Sequence, residues 1–405
     1  MNLLSHSLSR NGNNFDLVRL CAAIAVVYSH SFLIQSPDGT HDPVAASLGF
    51  DGAGSFGVYA FFLLSGMLVT TSFVRQRSAL RFVALRTARI WPAVAAGSLF
   101  AVFAIGPLFT ALPLSTYFHL HATWANLDNF ATLVLKRGWL LPGVFEHNRF
   151  GPDVCAPLWT LPLEVRCYVI VLITGVAGLL TTNRGIVIAA LLGLVVFGLR
   201  VHLDPLQIGL RDFAEKPGGY SFWPEPFFLL GMVLVGLRER VRIDGIAALG
   251  LIGVFLVFHD TAAAQPLFYL AFVYAVLWVG TTPLLRRWVP RHDYSYGIYL
   301  YGFAIQQCVA AIAPQLDHLV ALAVAAPLII TCAMLSWHGV ERPALAWCRR
   351  HVARQSGGGE QRRRHAQRNR VARYRSQLMS RNVCACAVRE LVTPDPRCAR
   401  RPRSY

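Results

Sequence analysis

Long apolar runs separated by short polar stretches recur from residue 15 to residue 339. Ten can be set off, at 15–34, 54–73, 91–111, 159–180, 185–201, 222–237, 244–259, 265–282, 294–312 and 319–339. Several approach the roughly 20 residues a helix needs to cross a bilayer; the fifth, sixth and seventh are shorter. The pattern predicts an all-α polytopic membrane protein with about ten transmembrane helices. The first run is followed by many more, so it reads as a first span and not as a cleaved signal peptide. Residues 129–145 are apolar too, but Lys136, Arg137, Gly138 and Pro142 interrupt them, which predicts a re-entrant or interfacial segment.

The polar stretches differ in charge. The stretch 74–90 carries Arg75, Arg77, Arg81, Arg86 and Arg89; 238–243 carries Arg238, Arg240 and Arg242; 283–293 carries Arg286, Arg287 and Arg291. Those at 35–53, 260–264 and 313–318 carry no Lys or Arg. Basic loops alternating with loops that lack Lys and Arg follow the positive-inside rule, and ten spans then place both termini and every Arg-rich loop in the cytoplasm.

Composition agrees. Of 405 residues, 55% are hydrophobic and 15% charged, where a soluble domain carries roughly 25%. The net charge of +17 suggests nucleic acid until it is located. From residue 353 onward fourteen Arg stand against Glu360, Glu390 and Asp395, so +11 of it lies in the tail. The rest marks membrane orientation, so no nucleic-acid partner is expected. The chain therefore divides into a membrane domain, 1–345, and an Arg-rich tail, 346–405. The tail is too polar to bury a core and is expected to be disordered. Read as cytoplasmic, it could rest on anionic membrane lipid or serve only as a solubilising extension. Cys384 and Cys386 form a lone C-x-C with no second pair at ligand spacing, so no metal site is expected.

Against this oily background the buried charges stand out. In "FDLVRLCAAIAVVYSHSF" (15–32), Arg19 and His30 are eleven residues apart and fall on nearly the same side of a helix, about 16 Å apart along it. Asp16 lies one turn before Arg19. Ionisable groups inside a membrane usually face a bundle interior or a wet cavity. Asp16 and Arg19 can also be read as an interfacial ion pair. His30 is the stronger candidate, because imidazole takes and returns a proton near neutral pH. In "PLWTLPLEVRCY" (157–168), Glu164 has Trp159 and Tyr168 nearby; it could orient His30, bind a sugar hydroxyl, or pair with Arg166. In "RTARIWP" (86–92), Arg86 and Arg89 share one helix face, where two guanidiniums can grip phosphates or simply set topology. "GAGSFG" (52–57) has the letters of a dinucleotide-binding loop but no preceding strand, so that reading is rejected. Ser65 and Gly66 read as small residues for helix packing.

Taken in order, "NNFDLVRLCAAIAVVYSHSF", "GVYAFFLLSGMLV", "RTARIWP", "LWTLPLEVRCY", "DYSYGIYLYGFAIQQ" and "ERP" resemble the membrane acyltransferase-3 family across about residues 14–343. The resemblance implies an integral membrane O-acyltransferase of the cell inner (cytoplasmic) membrane. It would take an acyl group, acetyl above all, from acyl-CoA on the cytoplasmic side to a hydroxyl of an envelope saccharide or lipid-linked glycan. It implies His30, Arg19 and Glu164 as catalytic, Arg86 and Arg89 as binders of CoA phosphates, and Trp159 and Tyr168 as substrate contacts. No permanently bound cofactor is implied; acetyl-CoA is a donor substrate. Where relatives often carry an Asn-Gly-Ser-like turn before "LWTLPLE", this chain has Cys155, Ala156 and Pro157. A transporter or flippase for a small solute or lipid-linked sugar is the alternative; it would favour related halves, and no clear internal repeat is present.

Overall fold

The computed structural model describes residues 2–8, 12–36, 42–76, 78–128, 133–134, 139–203 and 223–351. Every one of the ten apolar runs contains a helix: α1 (Phe15–Gln35), α2 (Ala53–Gln76), α3 (Ala79–Phe100), α4 (Leu161–Val176), α5 (Asn183–Leu203), α6 (Glu225–Gly236), α7 (Gly245–Val257), α8 (Ala264–Thr281), α9 (Ser295–Ile312) and α10 (His318–Ser336). Among the described residues, six helical stretches are long and apolar enough to cross a membrane: Phe15–Gln35, Ala53–Gln76, Ala79–Phe109, Ala156–Val176, Ala264–Thr281 and His318–His351. Three more, Asn183–Leu199, Glu225–Gly236 and Gly245–Val257, are apolar but shorter. Large apolar side chains point outward along these helices, Val257 at 75% exposure among them. Such a surface suits lipid and not water. The protein is a multi-pass, helical membrane protein.

One boundary differs clearly from the expectation. The Arg-rich stretch 74–90, expected as a loop leading into a helix face with Arg86 and Arg89, is helical over 74–76 and again from 79 onward. α2 runs on to Gln76, and α3 already begins at Ala79, where the Ser78 hydroxyl accepts the backbone N–H of Arg81 at 3.4 Å. Hydropathy treats arginine as a break, whereas arginine is a good helix former. Arg81, Arg86 and Arg89 therefore ride on the first turns of a helix that continues into the apolar region. That helix passes through a π-turn at Ala101–Ile105 and ends at Phe109.

α2 is the axis of the bundle and packs against α1 on one side and α6 on the other. Glycine makes both approaches possible. A Cβ on Gly66 would lie 2.0 Å from the Phe228 carbonyl oxygen of α6, and one on Gly57 would lie 2.5 Å from the Ala22 carbonyl oxygen of α1. Small residues let membrane helices touch backbone to backbone in this way. Gly66 thus plays the packing role its sequence context suggests. α9 packs against α1 and α10. After α10 a second π-turn, Trp337–Glu341, turns the Glu341 carboxylate back into the bundle, where it is 2% exposed.

Of the segment expected to be re-entrant, residues 129–132 and 135–138 lie outside the described residues. The part that follows is irregular and buried: Trp139, Leu141 and Val144 sit in the core. This loop is stapled to α9 by Gln307, whose amide donates to the carbonyl oxygens of Gly151 and Asp153, each at 3.0 Å. Residues 1–346 group as one unit and 347–405 as another. Of the second, only 347–351 are described, as helix. The rest of the expected tail, with Cys384 and Cys386, lies outside the described residues.

Candidate active site

Five helices each turn a short polar or cationic stripe toward one another and leave a cavity of about 110 Å³ between them. α1 contributes Arg19, one turn from its start. α3 contributes Arg86, Arg89 and Ile90. α2 lays down Val58, Phe61, Phe62, Ser65, Leu68 and Val69, a run with helical spacing on one face. α4 brings Glu164 and Tyr168, with Thr160 and Leu161 at its start; α9 brings Ser295, Tyr296 and Tyr299. The three arginines lie near the ends of α1 and α3 that carry the basic flanks. Val58, Phe61, Thr160 and Tyr299 lie deeper. The cavity thus has a cationic end and an apolar inner end, with Ser65, Glu164 and Tyr168 between them.

Two of the three arginines are already neutralised. Asp293, just before α9, lies 2.7 Å from Arg89 and 3.3 Å from Arg19 through the same Oδ2. Its Oδ1 accepts from the backbone N–H of Ser295 at 3.2 Å and from the Ser295 hydroxyl. Burial by itself would raise the Asp293 pKa; Arg89 and Arg19 outweigh it and hold the carboxyl below its ordinary value. Arg19 also meets Asp16 at 3.2 Å, and Arg89 meets Glu341 at 3.8 Å. The Arg89 guanidinium is further boxed by the rings of Tyr296 and Trp337, at 5.7 and 5.9 Å.

Arg86 differs. Its guanidinium lies 5.9 Å over the Tyr168 ring, and among the described residues no carboxylate lies within ion-pair distance of it. Its buried Nε has no hydrogen-bond partner. A half-buried guanidinium with its Nε short of an acceptor is poised for an anion entering the cavity. Deeper in, Glu164 accepts from the hydroxyl of Tyr168 and from that of Ser65, the latter at 3.3 Å.

Arg19, Arg86, Arg89, Glu164 and Tyr168 thus share one cavity. His30 and Trp159 are not among its lining residues. His30 is half-buried, and its ring meets Phe303 of α9 edge-on at 5.3 Å. Tyr299, in the cavity wall, is one helical turn before Phe303, about 6 Å along the axis. The cavity therefore ends about one turn short of His30. Glu164 lines the cavity, where it accepts from Tyr168 and Ser65. Trp159, in the 3₁₀ turn before α4, is half-buried against the core.

Four residues matter here that the sequence reading passed over. Asp293, Tyr299 and Glu341 appeared there only within quoted strings, and Ser65 only as a packing residue. A carboxylate such as Asp293, next to a basic loop and an apolar run, is the signal that could have found the first.

Residues 13–338 match an acyltransferase domain. Across 82% of this chain and 95% of the other, 25% of residues are identical to an O-acetyl transferase of Shigella phage Sf6. Across 83% and 94%, 27% are identical to nodulation protein 10 of Rhizobium leguminosarum bv. viciae. No solved structure matches. With the domain match spanning the helices that build the cavity, the chain belongs to the membrane acyltransferase-3 family and is an acyltransferase.

Proposed function

We propose that this membrane O-acyltransferase takes its acyl group, acetyl above all, from acyl-CoA and passes it to a hydroxyl of a cell-envelope saccharide or lipid-linked glycan. The observation that carries this reading is the polarity of the cavity: an arginine without an acid at one end, an apolar pocket at the other, and a histidine one turn beyond. Coenzyme A offers phosphates to the Arg86 end and an acyl thioester to the inner end. Arg89 and Arg19, held by Asp293, shape the mouth.

His30 serves as general base. It takes the proton of the acceptor hydroxyl as the oxygen attacks the thioester carbonyl. The C–O bond forms, the C–S bond breaks, and the departing thiolate takes the proton back from His30. For this the acceptor hydroxyl enters between His30 and the thioester carbonyl, bridging the one-turn gap past Phe303, while the acyl chain stays on the cavity side of the wall at Tyr299. Glu164, tied to Ser65 and Tyr168, keeps the middle of the cavity polar around the thioester. Trp159 and the loop around Phe150, whose ring meets Phe303 edge-on at 5.0 Å, lie toward the acceptor end. Ten spans in the inner membrane, with both termini cytoplasmic, put the arginine end on the side where acyl-CoA is made. Support for that orientation is the clustering of arginines at one end of the helices.

The test is thiol release from acetyl-CoA by the purified protein in proteoliposomes, with and without lipid-linked saccharide. An acyltransferase releases thiol when the acceptor is present. A transporter moves the saccharide and releases none. In the same assay Arg86→Ala is expected to raise KM for acetyl-CoA about tenfold to a hundredfold, with kcat little changed. That is the magnitude of a lost hydrogen bond to a charged group. An unchanged KM would remove Arg86 from the donor site.

A further inference from the structure

The apolar end of the cavity has a built wall. Phe61 of α2 meets Tyr299 of α9 edge-on, with ring centroids 5.9 Å apart and planes at 72°. Tyr299 is fixed in place. Its hydroxyl donates to the Pro157 carbonyl oxygen at 2.9 Å and lies 2.7 Å from the Thr160 hydroxyl oxygen. Both partners belong to the 3₁₀ turn Ala156–Thr160, and Pro157 within it and Pro162 just after it restrict the backbone. Tyr299 is 8% exposed, while Phe61 is half-buried and faces the cavity. One aromatic ring is therefore latched from behind, and the other leans on it across the end of the space.

We propose that Phe61, backed by Tyr299, sets the length of acyl chain this enzyme accepts and selects acetyl over longer donors. The proposal rests on acyl-CoA being the donor. If the phosphates lie at the arginine end, the acyl group is the part of the donor that reaches furthest in, and each added methylene drives it against the Phe61 ring. A close-packed interior answers even one extra methylene with strain, and a pocket discriminates against it by roughly 10–200-fold.

The experiment compares kcat/KM for acetyl-, butyryl- and hexanoyl-CoA in wild type, Phe61→Ala, Phe61→Leu and Tyr299→Phe, all in membranes with the native glycan pool. In Phe61→Ala the ratio of butyryl to acetyl turnover should rise at least tenfold, and the butyryl rate itself should exceed that of wild type. A gain of this kind does not come from misfolding. Phe61→Leu, which disturbs packing less, should move the ratio the same way by a smaller factor. Tyr299→Phe, which frees the latch but keeps the ring, should also raise it. Wild type turning over acetyl-CoA, with ratios in both Phe61 variants within twofold of it, would overturn the proposal and leave the donor reading intact. Wild type consuming no acyl-CoA at all would overturn the donor reading, and the chain-length wall with it.

Discussion

His30→Ala is expected to lower acyl transfer by about 10²–10⁴-fold, the usual contribution of a positioned general base, with the bundle still folded. The half-buried imidazole meets the Phe303 ring edge-on. Two readouts separate chemistry from folding. Turnover of acetyl-CoA with acceptor present should collapse, while the thermal unfolding midpoint of the purified protein should move by only a few degrees. His30→Gln should be as inactive as His30→Ala, because glutamine keeps hydrogen bonding but cannot accept a proton at neutral pH. Wild-type turnover in either variant would remove His30 from the reaction.

The second large effect falls on stability. Asp293→Ala leaves Arg19 and Arg89 facing each other without the carboxylate they share. Asp293 is buried, with 10% of its side chain exposed. Removing one partner of a buried ion pair costs about 3–5 kcal/mol, mostly as the penalty of the charge left behind. The substitution also removes the acceptor for the Ser295 backbone N–H, which opens α9. The expected result is a sharply lower yield and unfolding midpoint in detergent. Asp293→Asn should fall between alanine and wild type, since the amide oxygen can still accept from one arginine and from Ser295. Arg89 retains Glu341 at 3.8 Å and Arg19 retains Asp16 at 3.2 Å in either case, so the damage should fall on the bridge between the two arginines at the mouth of the cavity. Equal stability of wild type and Asp293→Ala would show that the cluster is held together by something else.

Much of this protein could be read from its sequence, and the limits have physical causes. Apolar runs locate helices well because lipid demands continuous hydrophobicity and internal backbone hydrogen bonds. The start of α3 was misplaced because Arg81, Arg86 and Arg89 interrupt hydropathy without interrupting a helix. Arg19 and Glu164 were legible as candidates because a charge in an apolar run is costly unless it is used, whereas Arg86, Arg89 and Tyr168 took their expected roles from the family resemblance; all five line one cavity. Who partners whom was not legible. The ion pair between Arg89 and Asp293 spans 204 positions of sequence, and no local pattern encodes it. Glu164 could be read as orienting His30, binding a sugar hydroxyl or pairing with Arg166; in the fold the hydroxyls of Ser65 and Tyr168 donate to it. Ser65 looked like a packing residue beside Gly66. Adjacent helical positions point about 100° apart, so Gly66 meets α6 while Ser65 faces the cavity.

The most direct test of a His30-dependent transfer from acyl-CoA uses membranes carrying wild-type protein or His30→Ala at matched expression. Both receive acetyl-labelled acetyl-CoA, and label is followed into the envelope glycan fraction. Label in the glycan with wild type and none above background with His30→Ala is the expected result. Equal labelling by the two would contradict the role of His30, and no labelling by wild type with its native glycan pool present would contradict acetyl-CoA as the donor.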